Sequence, residues 1–475
     1  MLEFLNLFNN QTYTISMKKY VILLVALISS LTILAQNNQP QRLDSLFSSL
    51  YAKKMFNGNV LVADKGEVIF KKSYGNAVEI PEQKLNTETI FELASVSKQF
   101  TAIGIVMLQK QWRLNYDDEI SKYIPELAFY ENVTVRNLLN HTGGLPDYMG
   151  LFQKHWDKSK FATNDDIIKL LAEYKPKANF KPGKKFEYSN TGYALLASII
   201  EKASGKSFTD YLAETIFKPL GMKNTFVYRS RYEARDIDNI ALGYIADNSG
   251  NKIRPEDLDK EIPFYYLDGI VGDGMVNSTL DDLLKWDRAL YTDKLVNDVD
   301  KALIFSSAET KDGKGSGYGF GWGISDSETY GKIVNHSGSW AGNLTFIERQ
   351  LDNDKTFIIL QNNTTGLTEL PNKKVRKILN NEGFVIPRTI KLSEKELDKY
   401  TGIYSNENFP IKIGFFVRDG ILMGQGDGQG AFPLDSYADH TFKFDQAKIS
   451  MIFNTENDTI IFTQNGQTFV FDKDK

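Results

Sequence analysis

Three short motifs follow one another along the chain: Ser95-Val96-Ser97-Lys98, Tyr188-Ser189-Asn190 and His336-Ser337-Gly338. Their residue types supply a nucleophile, a base and a strand of backbone donors. That set can transfer an acyl group through a serine ester. On a helix, residues three apart share a face, with Cβ atoms about 5–6 Å apart. Lys98 can then stand beside the Ser95 hydroxyl. A serine hydroxyl is a weak nucleophile until a neighbour removes its proton, and a partly desolvated lysine can serve as that neighbour. The N-terminal end of a helix also favours developing negative charge.

Tyr188 can relay the serine proton, as a phenolate or as a hydrogen-bonded partner of Lys98. Asn190 can donate to a substrate amide carbonyl and fix Lys98. His336-Ser337-Gly338 stands ahead of a strand pattern. If that strand edges the cleft, the backbone N–H groups of Ser339 and Ser95 form an oxyanion hole, each such donor contributing ~2.7–4 kcal/mol. Gly338 permits close backbone approach, and His336 lines the substrate site as a donor. No motif is specific alone. Ser16 and Lys19 repeat the first spacing, Tyr130 and Tyr404 the second, and His141 the third. His141-Thr142-Gly143 precedes Tyr188 and is followed by Gly144 and Pro146, so it reads as a loop rather than the third motif. Order, spacing and flanking residues carry the inference.

The elements that must position these groups can be read from periodicity. Asn59 to Ala63 and Glu67 to Lys72 alternate as two strands around an Asp64-Lys65-Gly66 hairpin. Phe91 to Ala94 runs into Ser95, after which Phe100, Ile103, Val106 and Met107 recur at helical spacing. Ser95 therefore lies at a helix start, where serine is also a favoured cap. Leu114 to Leu290 is rich in helical patterns, among them Val135 to Leu139, Asp165 to Glu173, Tyr193 to Lys202 and Leu280 to Leu290. Strand signals return after His336: Leu344 to Arg349 and Thr356 to Gln361 flank Asp352-Asn353-Asp354. Leu370 to Leu379 reads as a helix. Strands, then helices, then strands predict one sheet with a helical insertion. Beyond a boundary near Pro387, short strands are predicted at Leu397 to Tyr404, Ile411 to Val417, Ile421 to Met423, Phe442 to Phe444, Ile449 to Phe453, Thr459 to Thr463 and Thr468 to Phe471. They imply a small all-β barrel or sandwich.

Composition narrows the chemistry. With 42% hydrophobic and 24% charged residues, the 475-residue chain can bury an ordinary core. A net charge of -4, with no basic run, points to no nucleic-acid partner. The absence of cysteine excludes disulfides, thiolate metal sites and cysteine nucleophiles. Four scattered histidines give no metal-ligand pair, and no cofactor is expected. Lys18 and Lys19 precede an apolar run from Tyr20 to Leu34, with Ala35 as a small residue before a polar stretch. The run is short of the roughly 20 residues of a membrane span and reads as an export signal over residues 1–36. The true start is placed at Met17 in one reading of that segment. Cleavage would leave a periplasmic or secreted protein without an integral membrane span.

The chain resembles the class C β-lactamase and penicillin-recognising serine hydrolase family over Leu43 to Ile378. Besides the three motifs, the resemblance rests on Leu138-Leu139-Asn140-His141-Thr142-Gly143-Gly144-Leu145-Pro146, Pro219-Leu220-Gly221-Met222, Gly272-Asp273-Gly274-Met275 and Tyr318-Gly319-Phe320-Gly321-Trp322. It implies an α/β fold, an antiparallel sheet flanked by helices beside an all-helical lobe, over residues 37–386, with an accessory all-β domain over 387–475. It also implies Ser95 as the acylated residue, Lys98 and Tyr188 as proton-transfer partners, and Asn190 as a substrate contact. Class C β-lactamases usually carry Lys-Thr-Gly where this chain has His336-Ser337-Gly338. The histidine version is similar to D-alanyl-D-alanine carboxypeptidases, D-aminopeptidases and some esterases. The expected activity is hydrolysis of an amide or ester, with a D-amino-acid peptide as the expected substrate. The alternatives are a β-lactamase, a carboxylesterase and a penicillin-binding scaffold without turnover.

Overall fold

The computed structural model describes residues 39–474 apart from 234, 248–250, 259–261, 366–367, 383–388 and 439. The expected export segment and the boundary at Pro387 lie outside the described residues. Helix α1 (Gln39–Ala52) leads into strands β1 (Gly58–Asp64) and β2 (Glu67–Tyr74). Lys65 and Gly66 between them both take positive φ, as a two-residue hairpin turn demands. Strand β3 (Phe91–Glu92) precedes a 3-10 turn at Ala94–Ser97 and then α2 (Lys98–Lys110). Further along come α3 (Asn190–Ser204), β4 (Phe226–Val227), β5 (Val276–Ser278) and α4 (Leu280–Ala289). Strands β6 (Gly323–Ser327), β7 (Gly331–Trp340), β8 (Asn343–Gln350) and β9 (Lys355–Gln361) and helix α5 (Asn372–Leu379) complete the first unit.

Six described strands form one antiparallel sheet in the order β6-β7-β8-β9-β1-β2. The chain thus returns from the helical lobe to pair its last strand with its first, Gly58 opposite Gln361 and Asp64 opposite Lys355. Successive strand residues point to opposite faces, and here each face has its own core. Val60 and Val62 pack with Leu43, Phe47, Val375 and Ile378 of α1 and α5. Leu61 and Ala63 join the larger core shared with Phe100, Trp286, Ile347 and Ile358. A strand covered on both faces must be apolar throughout, which explains the run Phe357-Ile358-Ile359-Leu360. Each fully buried side chain of this size contributes about 1.5–3 kcal/mol.

The lobe holds the helices read from the sequence, at Val135–Leu139, Asn164–Tyr174 and α3, with Tyr148–His155 in addition. A three-stranded sheet in the order β3-β5-β4 ties the lobe to the segment before Ser95.

Beyond the first unit, strands β10 (Gly402–Ser405), β11 (Ile413–Arg418), β12 (Ile421–Gly426), β13 (Phe432–Pro433), β14 (Asp435–Ser436), β15 (Thr441–Phe444), β16 (Ile449–Asn454), β17 (Thr459–Gln464) and β18 (Gln467–Lys473) form a single sheet. Its order is β13-β12-β11-β10-β18-β17-β16-β15-β14. The two edge strands are joined by the single buried residue Leu434. Covalent continuity therefore brings the two edges together and nearly closes a barrel.

Two elements differ from their sequence reading. Leu397 to Tyr404 is not one strand: Glu394–Leu397 and Asp398–Tyr400 are helical, and the strand starts at Gly402. A capping box from Ser393 to Glu396 starts the helix there. His336-Ser337-Gly338 lies inside β7 rather than ahead of a strand.

Candidate active site

Ser95 is delivered by a tightly held turn. Phe91 and Glu92 pair with Ser278 and Asn277, and Leu93 N–H donates to Val276 O at 2.8 Å. Ala94 then takes φ 48°, a left-handed conformation that costs a residue with a side chain of order 1–3 kcal/mol. Neighbours enforce it. Thr345 Oγ1 donates to Leu93 O at 2.7 Å, and Val276 N–H donates to Ser97 Oγ at 3.0 Å. Ser95 is not a helix cap, as its serine character first suggests; it sits within the 3-10 turn that runs into α2.

Lys98, the first residue of α2, is fully buried. An ammonium has three protons to donate, and each has an acceptor. Lys98 Nζ lies 3.0 Å from Ser95 Oγ, 2.9 Å from Asn190 Oδ1 and 2.7 Å from the Asp273 carbonyl. Asn190 opens α3, where Ser189 is the cap and accepts from Gly192 N–H at 3.1 Å. The expected links from Lys98 to Ser95 and Asn190 are thus present. Tyr188 is reached differently. Its ring centroid lies 5.0 Å from Lys98 Nζ, and its side chain is 42% exposed. Its hydroxyl is hydrogen-bonded to neither Ser95 nor Lys98.

The edge that faces Ser95 is the second half of β7. Pairing with β6 ends at Gly323 opposite Asn335. From His336 onward β7 pairs only with β8, Gly338 opposite Thr345 and Ser339 opposite Leu344. The free side meets the Ser95 turn. A Cβ on Gly338 would fall 2.3 Å from Leu93 O and 3.0 Å from Ser95 N, so glycine is required there for the approach itself. The backbone around Ser339 and Ser95 lines one cavity.

His336 is buried and pushed down to about 3, first by burial and then by the Lys98 charge. It is neutral at ordinary pH. Its Nδ1 lies 2.6 Å from Ser337 O and its Nε2 lies 2.8 Å from Tyr318 OH. Only a proton on Nδ1 satisfies the carbonyl, so Nε2 accepts from the tyrosine. His336 therefore cannot supply the missing cation of a Lys-Thr-Gly motif.

The sequence reading overlooked two groups. His141 lies in a loop, as read, but that loop reaches the site. Its Nδ1 accepts from Ser189 N–H at 3.1 Å. Its ring packs against Tyr188, Tyr193 and Tyr318, with centroids 4.4, 5.0 and 4.5 Å away. Burial lowers its basicity well below the usual histidine value. The stretch around His141 was among those carrying the family resemblance, which was the available signal. The second is Asp273, whose Oδ2 accepts from Tyr148 OH at 2.9 Å. Burial raises its carboxyl pKa, and the Lys98 charge works against that rise.

Ser95 opens onto a cavity of about 400 Å³. Asn190, Tyr148, Asp273 and Ser339 supply its polar wall. Met149, Phe264, Leu267, Ile270, Met275 and Trp340 supply the apolar remainder. No lysine or arginine among the described residues lines it, and Lys98 is buried behind Ser95 and Asn190. No cluster of described histidine and carboxylate side chains could hold a metal ion, and no described helix is long and apolar enough to cross a membrane.

The family described as Beta-lactamase matches residues 43–379. Penicillin-binding protein 4* of Bacillus subtilis (strain 168) is 41% identical over 374 residues, 78% of this chain and 82% of that protein. Among solved structures, the octameric penicillin-binding protein homologue from Pyrococcus abyssi aligns with TM-score 0.64 at 23% identity, covering 91% of this chain and 99% of that one. The D-amino acid amidase from Ochrobactrum anthropi SV3 aligns with TM-score 0.60 at 23% identity, covering 72% of this chain and 98% of that one. At these identities the two structures speak for the fold.

Proposed function

The chain belongs to the beta-lactamase family, and on that premise we propose that it is a serine hydrolase cleaving amides or esters through an acyl-enzyme on Ser95. The observation that carries this reading is the contact of Ser95 Oγ with Lys98 Nζ at 3.0 Å, at the wall of an open cavity. Lys98, as the free amine, is the group positioned to receive the Ser95 proton. The Ser95 Oγ–acyl bond forms as the carbonyl π bond opens, and the oxyanion is held by the N–H groups of Ser95 and Ser339. Collapse breaks the bond to the leaving amine or alcohol, which takes a proton from Lys98, with the Tyr188 hydroxyl as the relay nearest solvent. Water then attacks the ester, and the same groups return the proton to Ser95. Asn190 holds Lys98 and the substrate carbonyl in register. An N-terminal export signal over residues 1–36, delivering the enzyme to the periplasm or outside the cell, is part of the reading.

The cavity favours some substrates over others. A carboxypeptidase or a β-lactamase must hold a substrate carboxylate. With His336 neutral and no lysine or arginine among the described lining residues, that anion has no cationic partner on the cavity wall. Amides and esters without such a carboxylate fit better.

Intact-mass spectrometry after a fluorophosphonate probe tests the reaction class. One adduct on the wild type, lost in Ser95→Ala, is expected. Ester or amide turnover in Ser95→Ala should fall by about 10⁴-fold or more, as for other nucleophile removals. An unlabelled wild type that also turns over neither p-nitrophenyl butyrate nor a D-amino-acid anilide would overturn the proposal.

A further inference from the structure

Asp273 is a carboxylate facing the substrate cavity without a cation to pair with. It forms no ion pair among the described residues, and its one side-chain hydrogen bond is to a neutral donor, Tyr148 OH at 2.9 Å. Lys98 does not neutralise it by contact. All three Lys98 protons go elsewhere: to Ser95, to Asn190 and to the backbone carbonyl of Asp273 itself. The same residue thus offers its carbonyl to the base beneath Ser95 and its carboxylate to the cavity.

Its position is fixed. Gly272, at φ 103°, lies where a Cβ would strike Tyr193 O at 2.5 Å and Ala197 Cβ at 2.6 Å. Thr101 Oγ1 of α2 donates to Gly272 O at 2.6 Å. The segment is therefore pinned between α2 and α3, and Asp273 cannot swing away without disturbing Lys98. Removing a carboxylate from water without a contacting counter-charge is costly, and the nearby Lys98 charge offsets only part of that cost. Burial raises the Asp273 pKa accordingly. A cation entering the cavity would relieve that cost, while an anion would add to it.

Resting on the acyl-enzyme reading above, we infer that Asp273 selects substrates whose acyl group carries a free ammonium, which it pairs with while the apolar wall of Leu267, Ile270 and Trp340 takes the adjoining side chain. An α-ammonium sits one carbon from the carbonyl that Ser95 attacks; the Asp273 backbone carbonyl and Ser95 Oγ share the partner Lys98 Nζ, and the Asp273 carboxylate meets Tyr148 OH, which lines the same cavity as Ser95. A side-chain ammonium would offer the same chemistry from further away.

The test uses the full chain and three D-amino-acid p-nitroanilides: D-phenylalanine, N-acetyl-D-phenylalanine and N-acetyl-D-lysine. The wild type should hydrolyse an amine-bearing substrate with a kcat/KM about 10–100-fold above N-acetyl-D-phenylalanine, as a charge-assisted hydrogen bond implies. Preference for free D-phenylalanine places the ammonium on the α-carbon, and preference for N-acetyl-D-lysine places it on the side chain. Asp273→Asn, which keeps the shape and an acceptor for Tyr148, should bring the ratio of kcat/KM between the amine-bearing substrate and N-acetyl-D-phenylalanine down to about 1. Asp273→Glu, which restores the charge, should recover part of the preference. Equal turnover of all three by the wild type, or a preference that survives in Asp273→Asn, would sink the inference. A fluorophosphonate adduct on Ser95 in those preparations separates the two claims. With the adduct present, an absent preference defeats only the role of Asp273. With it absent, the acyl-enzyme reading falls and this one with it.

Discussion

His336 shows how burial can remove a charge that an exposed histidine at that position would offer. Its side chain fills the place of a cation in related motifs, yet burial and the Lys98 charge hold it down to about 3, against about 6.5 for an exposed histidine. This has a consequence for stability. Above pH 6.5 both the native and unfolded chains keep His336 neutral, and its contribution is fully present. As pH falls from 6.5 toward 3, the unfolded chain takes a proton that the native state refuses, so stability is lost. At pH 5 one such site costs about 2 kcal/mol. Substituting His336→Gln should remove that part of the acid sensitivity. Urea unfolding at pH 5 and pH 7.5 measures it. Equal losses between the two pH values in wild type and variant would mean that His336 is protonated in the native state. His141 shares the direction of shift, so the variant retains some of the slope.

At the level of elements, the short strand β3 carries both the approach to Ser95 and a buried acid. Glu92 lies among Arg231, Asp268 and Glu256, and burial, outweighing the Arg231 charge, raises it to about 8. Its Oε1 is buried without a hydrogen-bond partner among the described residues. Arg231 meanwhile binds Asp268 Oδ1 at 3.0 Å and Glu256 Oε1 at 2.5 Å, and Asp268 starts the segment that runs on to Asp273. Between pH 4.5 and 8 the native state holds a proton on Glu92 that the unfolded chain has released. Stability therefore falls as pH rises through that window. Glu92→Gln should raise the melting temperature more at pH 9 than at pH 5, and parallel shifts at the two pH values would refute the protonated native acid. Such networks explain what the sequence could and could not disclose. The β1–β2 hairpin, α3 and the paired strands β8 and β9 were legible because periodicity and turn residues are local signals. The segment from Leu397 to Tyr404 was misread because Leu397, Tyr400 and Tyr404, spaced three and four apart, suit a helix as well as an apolar strand run, and the capping box decided the issue. Ser95, Lys98 and Asn190 were legible as motifs. Asp273 was legible only within Gly272-Asp273-Gly274-Met275 and without a role, because a single acid between two glycines has no period and its carbonyl meets Lys98 across 175 residues.

At the scale of the whole molecule, the question is what the barrel does for the cleft. Its core, from Leu397 through Phe415, Phe442 and Phe453 to Phe471, is separate from both cores of the first unit. Among the described residues, two ion pairs cross between them, Lys53 with Asp435 and Lys54 with Asp419, both at 2.6 Å. The second is mostly exposed, and pairs of that kind contribute about 0–1 kcal/mol. Neither involves a residue lining the Ser95 cavity. We propose that the barrel is an independent domain and that residues 39–382 are sufficient for catalysis. Groups far apart with no shared partners combine additively to within about 0.5 kcal/mol. A chain truncated after Glu382 should therefore retain kcat/KM to within about twofold on small substrates. Calorimetry of the full chain should resolve two transitions, of which the truncated chain keeps one. A tenfold or greater loss of turnover with that remaining transition unchanged would instead make the barrel a wall of the substrate path, because a folded unit would then have lost activity without losing stability.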